Sequence, residues 1–402
     1  MINLDVFIAN ASGNTTAFVL TPTDRKFYTE VAKDLMTVCK VEQSAFVKNT
    51  RINSGDFDMA GMEFCGNATR SFAGFLHLMH MHLINSAEPF DDGNPKHFDI
   101  TISDKLVKNC TSSLVDITPS SYIFNCSAPL PLPQIVFLPQ FNVVDFPGIS
   151  HVIVPLDFKP DFDLKRKNIK NENNVFNRCR HIFNYANRFL QKEAFGILFF
   201  NDANPDINFK GLSTKADILA HLSSYGCPLD APLLKLYSSV NKSNDDEHEE
   251  DDNDELEFFY NKIELLPVVN VNETGSTICE KSCGSGAGAI AFASVCKNLL
   301  KDLPTKPRVY HSVVVNPKYP EEEGISVIIR TKSLNEDDLS YIKTHTDQLD
   351  VIQNVIEKAV ESVEIAGNVY ISNVKPFSRL DAKLRQELIK NNIEIASIEK
   401  LK

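Results

Sequence analysis

The chain has 402 residues, 43% hydrophobic and 23% charged, enough for two domains with cores of their own. Its net charge of -12 comes largely from ten acids between Asp245 and Glu257; outside that run acids and bases nearly balance, which argues against nucleic acid or an anionic membrane as partner. No apolar run reaches the length of a membrane span, no secretory leader opens MINLDVFIAN, and nine irregularly spaced cysteines do not make a disulfide framework, so thiols in a reducing, cytoplasmic setting are expected.

LDVFIAN and TAFVLT read as two strands around a turn at Ala11 to Asn14. Phe27, Val31 and Leu35 give a helix over Asp24 to Val38 one apolar face. SAFVKN and FDMAGMEF are strand-like. Gly66 to Ile84 then reads as a single helix with few charges, buried on most sides. HFDITIS and SSLVDITP are strands again, and the proline-dense PLPLPQIVFLPQF reads as a connection between domains. HVIVPLDF opens a second round. It continues with a helix near Phe176 to Leu190, a buried strand FGILFF, a second low-charge helix from Gly284 to Leu300, and the strands SVVVNP, ISVIIRT and AGNVYISN. Residues 201–260 interrupt that round. Their crowded carboxylates repel and resist burial, which predicts a surface loop. A tail from Pro376 carries one polar helix, RLDAKLRQELIKNN.

The chemistry concentrates in two stretches. EFCGNATRSFAGF (Glu63 to Phe75) and SCGSGAGAIAFA (Ser282 to Ala293) each place a cysteine and a glycine where a low-charge helix begins. A cysteine there faces unpaired backbone N–H groups and the positive end of the helix dipole, which lowers a thiol's pKa and makes the sulfur a usable base. The same N–H groups bind a carboxylate. Two such helix starts face to face would form a small anion pocket with a sulfur on each side. That geometry suits proton exchange at the α-carbon of an amino acid, with the developing charge held on the substrate carboxylate. No pyridoxal-binding lysine motif, phosphate-cradling loop or metal cluster supplies another electron sink, so no cofactor and no metal are expected. Cys39, Cys110, Cys126, Cys179, Cys227 and Cys296 read as small core residues. Cys279 lies four residues before Cys283, without the second pair or close histidines of a zinc site. His77, His80 and His82 read as interface or surface residues.

MAGMEFCGNATRSF and CEKSCGSGAGA together resemble the two catalytic motifs of the diaminopimelate-epimerase fold, a family of cofactor-independent amino-acid racemases and epimerases. ASGN (Ala11 to Asn14) is similar to that family's N-terminal Gly-x-Gly-Asn turn. PGISH, ending at His151, sits where the epimerases carry Gly-Asn-Pro-His, with Ile149 in the Asn place. The resemblance implies an α+β fold of two pseudo-symmetric halves, each a curved sheet or barrel around a central helix, with the active site in the cleft between them. It implies Cys65 and Cys283 as the two bases, the backbone at Gly66, Asn67, Gly284 and Ser285 as carboxylate holders, and Asn14 and His151 as substrate-binding. The halves are expected at 1–135 and 136–362, with 363–375 a closing strand returning to the first half and 376–402 a helical tail; a homodimer is implied.

Diaminopimelate epimerases precede the second cysteine with Glu-Arg-Gly, whose Arg reads the far end of the substrate. Here the stretch is VNETGSTICEKSC, without Arg or Lys from Ile263 to Glu280. The local pattern instead resembles the histidine racemases of opine-type metallophore biosynthesis, at Gly61, Glu63 to Thr69, Glu280 and Ser282 to Gly286. Histidine is therefore the favoured substrate. Glu63 and Glu280 could meet either its imidazole or its α-ammonium. The alternatives are a racemase or epimerase for another amino acid, of diaminopimelate or proline type, and a non-catalytic ligand-binding relative of the fold.

Overall fold

A computed structural model of the chain describes residues 4–84, 94–138, 141–155, 172–202, 207–208, 257–319, 321–344, 349–372 and 375–377. The acidic run up to Leu256, Cys227 and the helix expected in the tail lie outside the described residues.

The first eight-stranded ring forms around β1 (Leu4–Ala11), β2 (Asn14–Val19), β3 (Gln43–Arg51), β4 (Ser54–Met59), β5 (Lys96–Ile102), β6 (Lys105–Ile117) and β7 (Ser121–Leu130). Each of these strands pairs with the next, in parallel at β2–β3 and β4–β5. The ring is completed by β17 (Val360–Ser372), which is antiparallel to β7 on one side and to β1 on the other. The largely buried strands β1 and β2 and the hairpin turn between them follow from sequence. Ser12 and Gly13 both take positive φ, 53° and 91°, which the right-handed twist of a tight hairpin demands.

Helix α1 (Tyr28–Cys39) bridges β2 and β3 and buries Tyr28, Val31, Ala32 and Leu35. Helix α2 (Gly66–Ile84) starts where the expected helix starts, and packs against β1, β3, β5, β6, β7 and β17. Its aromatic face explains the low charge: Phe72 and Phe75 lie among Phe7, Phe18 and Phe57, with Phe7 and Phe75 stacked at 4.2 Å between centroids. One expectation on α2 fails. His77 is fully buried, not at a surface, and its Nδ1 lies 3.1 Å from Ser112 Oγ, so a polar contact inside the barrel accommodates the ring.

Beyond β7 the chain forms β8 (Gln134–Phe137), β9 (Asn142–Phe146), β10 (Ile149–Pro155), α3 (Glu172–Asn187), β11 (Ala194–Asp202), β12 (Ile207–Asn208), β13 (Glu257–Val271) and β14 (Ser276–Cys279). Then follow α4 (Gly284–Lys301), β15 (Arg308–Val315), β16 (Ile325–Thr331), α5 (Glu336–Thr344), α6 (Leu349–Ala359), β17, and β18 (Lys375–Phe377), which pairs with β1. The proline-dense stretch contains a short strand, β8, where Gln134 to Phe137 is free of proline. A second run of paired strands goes from β8 through β9, β10, β11, β13, β15 and β16 to β17. Thus β17 joins both sets. Helix α4 packs against β9, β10, β11, β13, β15, β16 and β17. FDMAGMEF is strand only to Met59; Ala60 and Gly61 turn the chain away from the sheet and Met62 takes a φ of 60°, which lifts Cys65 to the start of α2.

Truncating Phe72 to Ala should destabilise the protein by about 3–5 kcal/mol, since its three ring neighbours, Phe18, Phe57 and Phe75, cannot close the hole. In the same urea titration Val38→Ala, an exposed position, should shift stability by less than about 0.5 kcal/mol. Equal effects would mean the aromatic cluster does not hold α2 in place.

Candidate active site

The first turns of α2 and α4 meet head to head. A Cβ added to Gly284 would stand 2.9 Å from the backbone N of Asn67 and 2.8 Å from its Oδ1. One added to Gly66 would stand 2.6 Å from Ile365 Cδ1 and 3.6 Å from the carbonyl carbon of Gly284. At Gly284 only glycine permits that approach, while at Gly66 it makes room for Ile365 of β17. Asn67 Nδ2 spans the junction, donating to Ser282 O at 3.4 Å and Ser282 Oγ at 3.2 Å.

Each cysteine occupies the cap position of its helix. The carbonyl of Cys65 accepts the Thr69 N–H at 3.0 Å, and that of Cys283 accepts the Ala287 N–H at 2.7 Å. The Ala68 N–H donates to Cys65 Sγ at 3.4 Å. Both cysteines line one cavity, together with Asn14, Glu42, Gln43, Glu63, Asn67, Glu280, Gly284 and Ser285. Of the residues singled out from sequence, Gly66 lies at the helix junction beside this lining. His151 stands one layer behind it, fully buried, with its Nε2 3.0 Å from Ser285 Oγ. Burial depresses the His151 pKa to about 3, so its ring is neutral.

Sequence pattern gave no sign of Glu42 and Gln43, which lie beyond the end of α1 at the entry to β3, in no motif. Gln43 Nε2 donates to Cys65 Sγ at 3.2 Å, to Asn14 Oδ1 at 2.7 Å and to Thr16 Oγ1 at 2.8 Å. Asn14 Nδ2 in turn donates to Glu42 Oε2 at 2.9 Å. The backbone N–H of Lys281, next to Glu280, donates to the other oxygen of Glu42 at 3.1 Å. A hydrogen-bonded chain therefore runs from the second motif through Glu42, Asn14 and Gln43 to the first sulfur. The only sequence signal was indirect: two polar residues leading into a strand whose next residues, SAF, are buried.

Electrostatics corrects one expectation. The helix starts were expected to lower both thiol pKa values. Burial instead pushes Cys65 up to about 12, with the charge of Glu280 adding to it, and raises Cys283 well above the ordinary thiol value. N–H groups of Ala68 and Gly286 oppose the shift without overcoming it. Three carboxyl groups share the cavity, and burial raises Glu42 and Glu63 to about 7 and Glu280 to about 8. Glu280 accepts a hydrogen bond from the Cys283 thiol. No Lys or Arg lines the cavity among the described residues, and Lys281 turns its Nζ to Glu322 at 3.0 Å. Among those residues no group of three His, Cys, Asp or Glu side chains is placed to hold a metal ion, and no helix is long and apolar enough to cross a membrane.

Residues 3–208 match the family model described as the histidine racemase CntK N-terminal domain. The chain belongs to the histidine racemase family, and with it to the isomerases. The histidine racemase of Staphylococcus aureus (strain Mu50) is 39% identical over 84 residues, 20% of this chain and 30% of that one. Two histidine racemases from strains of Fusobacterium nucleatum subsp. nucleatum match at 24% over 314 residues (74% of this chain, 83% of the relative) and 26% over 216 (50% and 69%). A crystal structure of methylitaconate-delta-isomerase aligns over 92% of this chain and 96% of the other at 11% identity, with a TM-score of 0.37, too loose a likeness to add to the geometry above.

The three raised carboxyls make this racemase-family cavity pH-sensitive. Each holds a proton in the folded chain at a pH where the unfolded carboxyl, at 4.5, has released it. The folded state binds more protons, so their contribution to stability is complete below 4.5 and is lost as pH rises towards about 8. Glu280→Gln, which cannot ionise, should therefore gain in melting temperature on the parent protein as pH is raised from about 5 to about 8.5. A difference that stays flat or reverses would contradict a buried, protonated Glu280.

Proposed function

We propose that the protein is a cofactor-independent amino-acid racemase that interconverts L- and D-histidine with Cys65 and Cys283 as its two bases. The observation that carries this reading is the pair of capping cysteines on one cavity where two helix starts converge. An amino acid with its carboxylate on the N–H groups of Gly66, Asn67, Gly284 and Ser285 would present its α-carbon beside both sulfurs. One thiolate takes the α-proton, and the bonding pair moves into the carboxylate, where fixed N–H donors stabilise the added charge. The opposite thiol delivers its proton to the other face. The product leaves with the two cysteines' protonation states exchanged, and no net atom is gained or lost.

Burial keeps both thiols protonated, so a thiolate has to be generated. Glu280, already bonded to the Cys283 thiol, is the adjacent acceptor, and its pKa near 8 suits proton exchange at neutral pH. Gln43, donating to Cys65 Sγ, favours the charged form of that sulfur. The α-ammonium of a bound substrate supplies a compensating positive charge.

Three carboxyls and no basic side chain among the described lining favour a substrate with a second basic group, such as an imidazole, over the distal zwitterion of diaminopimelate. Glu42 and Glu280 approach each other through the Lys281 backbone and form one acidic end of the cavity, to which Glu63 adds. Asn14, tied to Glu42 and Gln43, orients that end.

The fold reading goes with the chemistry. We infer two pseudo-symmetric diaminopimelate-epimerase-like halves, around α2 and α4, at 1–135 and 136–362, with 363–375 returning to the first half. The pairing of β17 with both strand sets supports it. A homodimer and a cytoplasmic setting belong to the same reading, the latter fitting eight cysteines among the described residues without a disulfide. Sedimentation at micromolar concentration should give twice the chain's 45.0 kDa; a monomer would remove the dimer from this account.

Incubation with L-histidine in heavy water should introduce deuterium at the α-carbon while optical rotation is lost. Cys65→Ser and Cys283→Ser should each lower that turnover by about 10²–10⁴-fold while thermal unfolding stays cooperative. Robust turnover in either variant would refute the two-base scheme. Racemisation of another amino acid with histidine untouched would refute the substrate alone, and histidine binding without exchange would make the protein a non-catalytic relative.

A further inference from the structure

Arg70 sits on α2 one turn after Gly66 and is fully buried. Its Nη2 donates to Asn67 Oδ1 at 2.9 Å and to Ser12 Oγ at 3.4 Å. Among the described residues its Nε and Nη1 make no hydrogen bond, and no carboxylate forms an ion pair with it. Burial lowers its pKa only to about 10, so the guanidinium stays charged at neutral pH. The fold makes room for it: at Gly367 on β17, with φ +152°, a Cβ would stand 2.8 Å from Nη1 and 3.1 Å from Ser12 Oγ. A buried cation without a paired anion is costly, and its retention calls for a compensating role.

A guanidinium has donors and no acceptor, so it admits only one orientation of the Asn67 amide, Oδ1 towards Arg70. That turns Nδ2 towards Ser282, whose O and Oγ it reaches. Ser282 Oγ donates onward to Ala11 O at 3.2 Å. Ala11 and Ser12 are neighbours, so the bonds form a closed circuit: hairpin turn, Arg70, Asn67, Ser282, hairpin turn. Both cysteines lie beside it, Cys65 two residues before Asn67 and Cys283 directly after Ser282.

We propose that Arg70 is a positioning residue for the substrate carboxylate. It locks the Asn67 amide that ties the start of α2 to the start of α4, and its charge, set behind those starts, favours an anion on their N–H groups. The identity of the anion rests on the racemase reading; the anion-selective site does not.

The test uses the full chain and two alkylating reagents of similar size, anionic iodoacetate and neutral iodoacetamide, with Cys65 modification followed by peptide mass spectrometry. The iodoacetate-to-iodoacetamide rate ratio, normalised to free cysteine, should fall about tenfold in Arg70→Met, equivalent to ~1.4 kcal/mol. It should stay within about threefold of the parent in Arg70→Lys, which keeps the charge. A merely loosened structure would change both rates together and leave the ratio alone. An unchanged ratio in Arg70→Met overturns the proposal, and Arg70→Gln replaces that variant if it does not fold. Histidine turnover is measured alongside. Parent turnover with Arg70→Met unimpaired sinks the role of Arg70 and spares the racemase reading. No turnover in the parent, with the ratio behaving as expected, sinks the histidine reading and spares Arg70.

Discussion

The meeting of two helix starts is the constraint on which the site depends. Gly284 lets α2 and α4 approach until the backbone of one touches the first turn of the other. Unpaired N–H groups from two helices then point into one small volume, which a lone helix end cannot achieve. The strands that α2 and α4 pack against hold the two helix starts together against the mutual repulsion of their positive ends. Aromatic packing along α2 and a predominantly small-residue face on α4 do that from opposite sides. The Asn67–Ser282 bonds pin the junction itself.

That same enclosure sets the electrostatics. Helix dipoles and N–H bonds favour thiolates by an amount that burial outweighs, so the two sulfurs rest as thiols. Three carboxyls in the cavity respond alike and each keeps a proton well above the usual carboxylate range. Burial thus disfavours charge on these groups, although many of them are ionisable. On the racemase reading proposed above, charge enters with the ligand: a carboxylate for the helix starts and a cation for the acidic end. Binding and ionisation are therefore coupled, because each ligand charge stabilises the opposite charge on a group that burial had neutralised.

Legibility in the sequence followed how local each feature is. The span of α2 and the place of both cysteines could be read, because low charge over nineteen residues and a Cys-Gly start are local signals. The β1–β2 hairpin was legible for the same reason. Strand β8 was not, since proline on both sides masked a four-residue strand. Glu42 and Gln43 were invisible because their importance comes from β3 lying parallel to β2, which brings them beside Asn14 and Cys65. His77 looked like a surface histidine because nothing near it in sequence announces Ser112, which a different strand delivers. The thiol pKa expectation failed for a related reason. Helix position is local, whereas desolvation is the sum of everything packed around the group.

Arg70 and His151 show how the layer behind the lining is built. Each holds the second residue of a helix, Asn67 on α2 and Ser285 on α4, and neither lines the cavity. Their electrostatic characters are opposite: Arg70 stays charged under burial, while His151 is held neutral. The asymmetry is physically useful. Two cations behind converging helix starts would add to an already positive junction and work against bringing the starts together, whereas one leaves a single net bias towards an anion. A neutral ring with one nitrogen on Ser285 Oγ can orient that hydroxyl, 3.7 Å from Cys283 Sγ, without changing the charge seen by the sulfur. The two helix ends are thus alike in backbone and different in charge, so the two cysteines they cap need not share a resting proton affinity, and a scheme that requires one thiolate facing one thiol has a structural basis for telling them apart.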